Sequence, residues 1–229
     1  MIKFYGTPIS PISTFNKIMP GRNALVSFAH HQDITRAFKI CDKVILDNGA
    51  YSFWTKGLNI NWNDYYTWVN KYPKRFFFLI PDVIDGTETE NDKLIEQCPY
   101  SDGVPVWHVG ESLKRLARLS KIYDIIAFGS SGELRQLGTP QWHLKMHNAM
   151  KIVCNSNGVP KIKIHMLRCL NHKIFTKYPF YSGDSSTLGR NHKSGNWKDM
   201  VKRVEKHNSP KKYNFLQGGL CTLSKNNLK

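Results

Sequence analysis

Acidic side chains all but disappear from the second half of this 229-residue chain. Residues 1–133 carry 15 Lys and Arg against 14 Asp and Glu, while residues 134–229 carry 18 against 3, with no Asp or Glu between Glu133 and Asp184. A surface that only has to stay dissolved intersperses both signs. One-signed charge on this scale points instead to a polyanion, bound with release of counterions and therefore sensitive to salt. Nucleic acid is the partner that fits, and the basic part, about 134–229, is expected to meet its phosphates.

Other absences narrow the class further. No apolar run approaches the roughly 18 residues that a spanning helix needs, and Met1–Gly6 lacks the long apolar core of a secretory signal. The expectation is a soluble, cytoplasmic protein with no membrane partner. The five cysteines, Cys41, Cys98, Cys154, Cys169 and Cys221, are odd in number and far apart, with no C-x-x-C pair. That spacing argues against a disulfide framework and a structural zinc site, and predicts reduced, buried thiols. No internal repeat or low-complexity linker divides the chain, so residues 1–229 are read as one domain.

What the chain does have is a series of short apolar runs separated by helical patterns. Strands are expected at 2–5, 24–28, 43–47, 76–81, 104–108, 124–129, 162–167, 180–183 and 213–217. Thr87-Glu-Thr-Glu90 forms a capping box for a helix reaching Gln97. Leu113, Leu116 and Leu119 give an apolar stripe to 111–121. Thr139-Pro140 opens a helix over about 140–156, with Gly158 as its left-handed stop. Trp197, Met200, Val201 and Val204 share one face of a last, basic helix. Strands alternating with helices predict an α/β fold with a parallel sheet, here a compact, irregular (β/α)8 TIM-like barrel somewhat shorter than usual. The tail from Gln217 to Lys229 shows no period.

Five of the runs end on residues able to do chemistry: Asp47, Asp82, His108, Gly129 and Asp184. In parallel barrels the site gathers at the carboxyl ends of the strands, so these five are expected to share one mouth. A carboxylate at the lip of an apolar barrel binds its proton more tightly, which suits Asp47 to acid or base work. Gly49 would allow a ligand close to the backbone. Gly129-Ser130-Ser131 offers backbone donors to an oxygen, and Asp184 lies among hydroxyls just ahead of Arg190. Asp47, Asp82 and Asp85 together raise a magnesium site, although Asp85-Gly86 reads more naturally as a turn. His143 and His147 stand one helical turn apart, but no Glu follows His143 as in H-E-x-x-H, and no metal is assigned there.

Taken in order, Ile-Leu-Asp47-Asn-Gly-Ala-Tyr, Ile-Pro-Asp82, Val-Trp-His108-Val-Gly, Ala-Phe-Gly129-Ser-Ser-Gly-Glu133, Ile-His-Met166-Leu and Ser-Gly-Asp184 resemble the tRNA-guanine transglycosylase superfamily. Over about residues 43–190 the chain looks most like the compact phage and mobile-element branch that places 7-deazaguanine bases in DNA. The resemblance implies a cofactor-free base exchange through a covalent glycosyl-enzyme, with Asp184 as nucleophile and Asp47 as general acid and base. It implies Asp82 against the N–H edge of the base, His108 where the family usually has glutamine, Gly129 and Ser130 at the base carbonyl, and Met166 as an apolar platform. Asn48 and Tyr51 replace the usual residues after the first aspartate and complete the base site.

The family's zinc subdomain is missing from the sequence, which favours DNA over tRNA. It also leaves a homodimer open, since the usual interface element goes with it. Arg190, Lys193, Lys198, Lys202 and Arg203 are the expected phosphate contacts, with Tyr51 and Trp54 available for stacking. A tRNA-acting relative, a metal-dependent nuclease and a non-catalytic DNA-binding barrel are the alternatives on the same residues.

Overall fold

A computed structural model of the chain describes residues 1–194 and 197–216. Its strands are β1 (Ile2–Gly6), β2 (Asn23–Ser27), β3 (Val44–Asp47), β4 (Phe77–Leu79), β5 (Gly103–Val104), β6 (Val106–His108), β7 (Ile125–Gly129), β8 (Lys163–Met166) and β9 (Ser182–Ser185). Around them run α1 (Ile12–Ile18), α2 (Ile34–Ile40), α3 (Ala50–Thr55), α4 (Trp62–Asn70), α5 (Glu88–Glu96), α6 (Leu113–Leu119), α7 (Pro140–Val153), α8 (His172–Phe175), α9 (Thr187–Asn191) and α10 (Trp197–Lys206).

The nine strands make one sheet in the order β5-β4-β3-β2-β1-β9-β8-β7-β6, and every pairing is parallel. The two ends of that order are consecutive in the chain, with only Pro105 between them. Val104 O accepts from Ile80 N at 2.8 Å on one side, and Pro105 O accepts from Ala127 N at 2.9 Å on the other. Having no N–H of its own, Pro105 is where the ladder changes partner. The result is an α/β protein with a nearly closed, barrel-like sheet.

Side chains alternate across each strand, so a sheet that curls back on itself needs two cores. Phe4, Leu25, Ile45, Phe77, Leu79, Val104, Val106 and Ala127 are buried together inside as one plug. Their out-of-phase neighbours, among them Tyr5, Val26, Leu46, Phe78, Trp107, Phe128 and Ile164, join the larger core beneath the helices. Burial on both faces is why the strands read as continuous apolar runs rather than alternating ones.

The helix signals hold at their starts. Thr87 and Glu90 form the reciprocal capping box of α5, Ser112 caps α6, and Thr139 caps α7 with Pro140 in its first turn. The end of α7 differs from expectation. The helix stops at Val153 with Cys154 already extended, and Gly158, at φ +75°, belongs to a later turn. A Cβ on Gly158 would lie 2.1 Å from Tyr213 O, and Tyr213 N donates to Gly158 O at 2.8 Å. Gly158→Ala is therefore expected to cost about 2–4 kcal/mol, from steric overlap and left-handed strain together; thermal unfolding would read it directly.

The strand expected at 213–217 is absent over 213–216, and Gln217 lies outside the described residues, as do Cys221 and the rest of the tail. Tyr213 and Phe215 are apolar because they pack on His147, and Tyr213 stacks on Tyr178 as well. Among the described residues no helix is long and apolar enough to cross a membrane.

Candidate active site

Strand phase places the polar residues. On β3, Ile45 points into the plug, so Asp47, two residues on, points inward one layer higher. The same step leads from Val106 to His108, from Ala127 to Gly129, from Leu25 to Ser27 and from Ser182 to Asp184. The plug thus ends in a polar layer at the carboxyl ends of the strands. Above it opens a cavity of about 500 Å³ whose wall includes Asp47, Asp82, His108, Gly129 and Asp184. Asn48, Tyr51 and Ser130 line it too.

Asp82 follows β4 through Pro81 and is held from two sides. Its Oδ1 accepts from Asn48 Nδ2 at 2.8 Å, and its Oδ2 lies 2.9 Å from His108 Nε2. Asn48 is itself fixed, donating to Ile80 O and accepting from Ala50 N. Behind His108, Glu111 accepts from the His108 backbone N–H at 2.9 Å and pairs with the buried Arg115. Burial alone would lower the His108 pKa, but the hydrogen bond and charge of Asp82, with Glu111 adding, outweigh it and raise the pKa. The pair is preorganised, and each Asp82 oxygen keeps a second lone pair for a ligand donor. Gly129 makes room for it: a Cβ there would sit 3.0 Å from His108 Nδ1.

The other two carboxylates differ in environment. Asp47 is deep in the protein yet touches the open cavity. Desolvation drives its pKa up to about 7, with Asp184 and Asp82 adding like charge, while Ser27 and the Gly49 N–H offset part of the rise. At Asp184, Oδ1 accepts from the Arg168 backbone N–H at 3.0 Å and has His165 Nε2 3.3 Å away. Asp184 Oδ2 meets no donor among the described residues. One carboxyl group is thus poised to hold a proton near neutrality, and the other has one oxygen tethered and one free.

Several expected roles shift. Met166 is fully buried in the outer core and does not line the cavity; its neighbour Leu167, of the opposite phase, does. Gly49, at φ +80°, serves close packing on the Ala29 backbone rather than approach of a ligand, since a Cβ at that position would lie 2.9 Å from Ala29 N. Ser130 stays at the cavity wall, with its Oγ accepting from Trp142 Nε1 at 3.0 Å. His143 and His147 bond separate tyrosines, Tyr178 and Tyr213. Asp85 lines a neighbouring cavity of about 530 Å³ with Glu88 and Glu111, so it does not join Asp47 and Asp82. No group of three His, Cys, Asp or Glu able to hold a metal ion occurs among the described residues.

Of the basic candidates, Arg190 lines the cavity. Lys193, Lys198, Lys202 and Arg203 are exposed, the last three on α10. That helix descends along the barrel, since Glu205 near its end pairs with Arg22, the residue before β2. Lys163, first in β8, sits at the opposite end from the mouth, so the positive half of the sequence is not one face.

Arg168 is the site residue that the sequence pattern does not reveal. It adopts φ +57°, lines the cavity, donates to Ser130 O and stacks over Tyr51 at 4.8 Å. Only the phase of Leu167 and the strand end before it could have pointed there.

Fold and site together define a parallel α/β protein with a barrel-like sheet and a carboxylate-lined pocket at the carboxyl ends of its strands. No protein-family model, curated protein or solved structure matches the chain.

Proposed function

We propose that this chain is a guanine transglycosylase acting on DNA, exchanging guanine for a 7-deazaguanine base such as 7-cyano-7-deazaguanine. The observation that carries the reading is the pair of unlike carboxyl groups at one cavity floor, Asp184 with a free oxygen and Asp47 with a pKa of about 7. Displacement at an anomeric carbon needs both a nucleophile and a proton carrier. Asp184 Oδ2 attacks C1′, the C1′–N9 bond breaks, and its electron pair leaves with guanine, which takes a proton from Asp47. The incoming base returns a proton to Asp47 as its N9 attacks C1′, and the Asp184 ester breaks. No redox partner or cofactor is required.

The surroundings support the same assignment. Asp82 and His108 present a fixed acceptor and donor set for a guanine-like edge. Leu167 takes the platform role that the family resemblance gave to Met166. Arg168 and Arg190 stand at the mouth for phosphate, and Tyr51 and Trp54, about half exposed, offer faces to neighbouring bases. We read β5 and β6 as one strand broken at Pro105, which makes the sheet an eight-stranded (β/α)8 barrel. A duplex target would have its guanine flipped into the cavity at a cost of a few kcal/mol.

The deciding experiment incubates the protein, with and without chelator, with DNA carrying labelled guanine, with and without 7-cyano- or 7-aminomethyl-7-deazaguanine. Release of label that depends on the added base is expected. Release only from tRNA would change the nucleic acid. Strand cleavage that the chelator stops, or salt-sensitive binding with no release at all, would overturn the reading.

A further inference from the structure

Inside an otherwise apolar plug two paired residues, His165 and Ser182, are polar. His165 is fully buried, with the rings of Phe4 and Phe77 meeting it edge to face at 6.1 and 5.3 Å. Leaving an imidazole in such surroundings is costly unless both nitrogens are engaged. Its Nδ1 lies 2.8 Å from Ser182 Oγ. Its Nε2 makes no aligned hydrogen bond, and the polar atom beside it is Asp184 Oδ1, 3.3 Å away. Strand register fixes the arrangement, because His165 pairs with Ser182 across β8 and β9 and Asp184 stands one inward step above Ser182.

We infer that His165 is a positioning residue that holds Oδ1 of Asp184 from below and leaves Oδ2 as the oxygen that faces the cavity. The Ser182 hydroxyl donates to His165 Nδ1, which places the ring proton on Nε2, where it meets the carboxylate. The Arg168 N–H bonds the same oxygen from the β8 loop at 3.0 Å, so Oδ1 has one hydrogen bond and, on its other side, the imidazole N–H dipole at 3.3 Å, which together bias the carboxylate to one orientation. A carboxylate free to turn would offer either oxygen and lose attack geometry; a misplacement near 1 Å costs about 100-fold in rate. The inference rests on the proposed function for what Asp184 does, but not for how the carboxylate is held.

The test pairs kinetics with spectroscopy. His165→Leu fills the site with an apolar side chain and is expected to fold at a modest loss of stability, because it orphans the buried Ser182 hydroxyl; the double variant His165→Leu/Ser182→Ala removes both polar groups and serves as the control. The kcat of His165→Leu for base exchange should fall about 100-fold at unchanged KM for DNA, and His165→Gln, whose amide N–H reaches the same oxygen, should recover much of the loss. In the wild-type protein, nitrogen-15 NMR should show the His165 proton on Nε2, with a resonance that moves in Asp184→Asn. A folded His165→Leu variant with full kcat, or an unprotonated Nε2, would overturn the inference. If the wild type exchanges no base yet the Nε2 proton still responds to Asp184→Asn, the transglycosylase reading fails while the positioning of the carboxylate stands.

Discussion

Asp184→Asn should abolish base exchange, by at least about 10⁴-fold, while DNA affinity stays within about threefold of wild type. The amide keeps an oxygen able to accept from the Arg168 N–H, which bonds Asp184 Oδ1 at 3.0 Å in the native protein, so the β8 and β9 ends should remain in place. What is lost is the anionic oxygen that attacks C1′ in the proposed reaction. Guanine release and fluorescence-based DNA binding, measured side by side, separate the two effects. Denaturing the wild-type protein during turnover should leave a deoxyribosyl adduct on Asp184. An adduct on Asp47 instead would exchange the two roles.

Asp47→Asn is expected to act on both rate and stability, in opposite directions. As the proposed general acid and base, Asp47 should account for about 10²–10⁴-fold in kcat, because an amide cannot carry the proton. Its native pKa of about 7 lies above the unfolded value of about 3.9. Between those values the folded chain binds more protons than the unfolded one, so wild-type stability falls as pH rises through that window and levels off above it. The cost at pH 8 is at most about 4 kcal/mol. The variant has no such group. It should melt well above wild type at pH 8 and much closer to it at pH 4, and a pH-independent difference would remove Asp47 as the titrating group. A slower but more stable variant is the signature of a group kept for chemistry.

The strand ends were legible because a buried parallel strand must stop where its polar residue begins. Asp47, His108, Gly129 and Asp184 each follow an apolar run and keep the inward phase of their strand, so chain order alone brought them together. Phase also accounts for the shift from Met166 to Leu167. In and just after the run Ile164-His165-Met166-Leu167 the polar residues His165 and Arg168 have opposite parity and so set no phase, and only packing shows that His165 and Leu167 face inward. Arg168 gives no signal, because its place depends on a left-handed backbone that no local rule assigns to arginine. The Tyr213–Phe215 alternation imitates a strand because a segment packing two rings on a helix has the same period. The charge asymmetry, legible in the sequence, divides between the two ends of the barrel once Lys163 and Arg190 are placed.

The apolar plug has a kinetic consequence. With Phe4, Phe77 and their neighbours closing the barrel beneath the polar layer, the cavity has a floor, and a base can enter or leave only through the mouth that also admits the sugar. In the proposed exchange both bases are read by the same Asp82 and His108, so the seat takes one at a time. Departure of the old base must then precede arrival of the new one. In the proposed reaction the cavity is a vessel with a single door, in which the leaving and incoming bases compete for one seat and the order of traffic is set by the architecture.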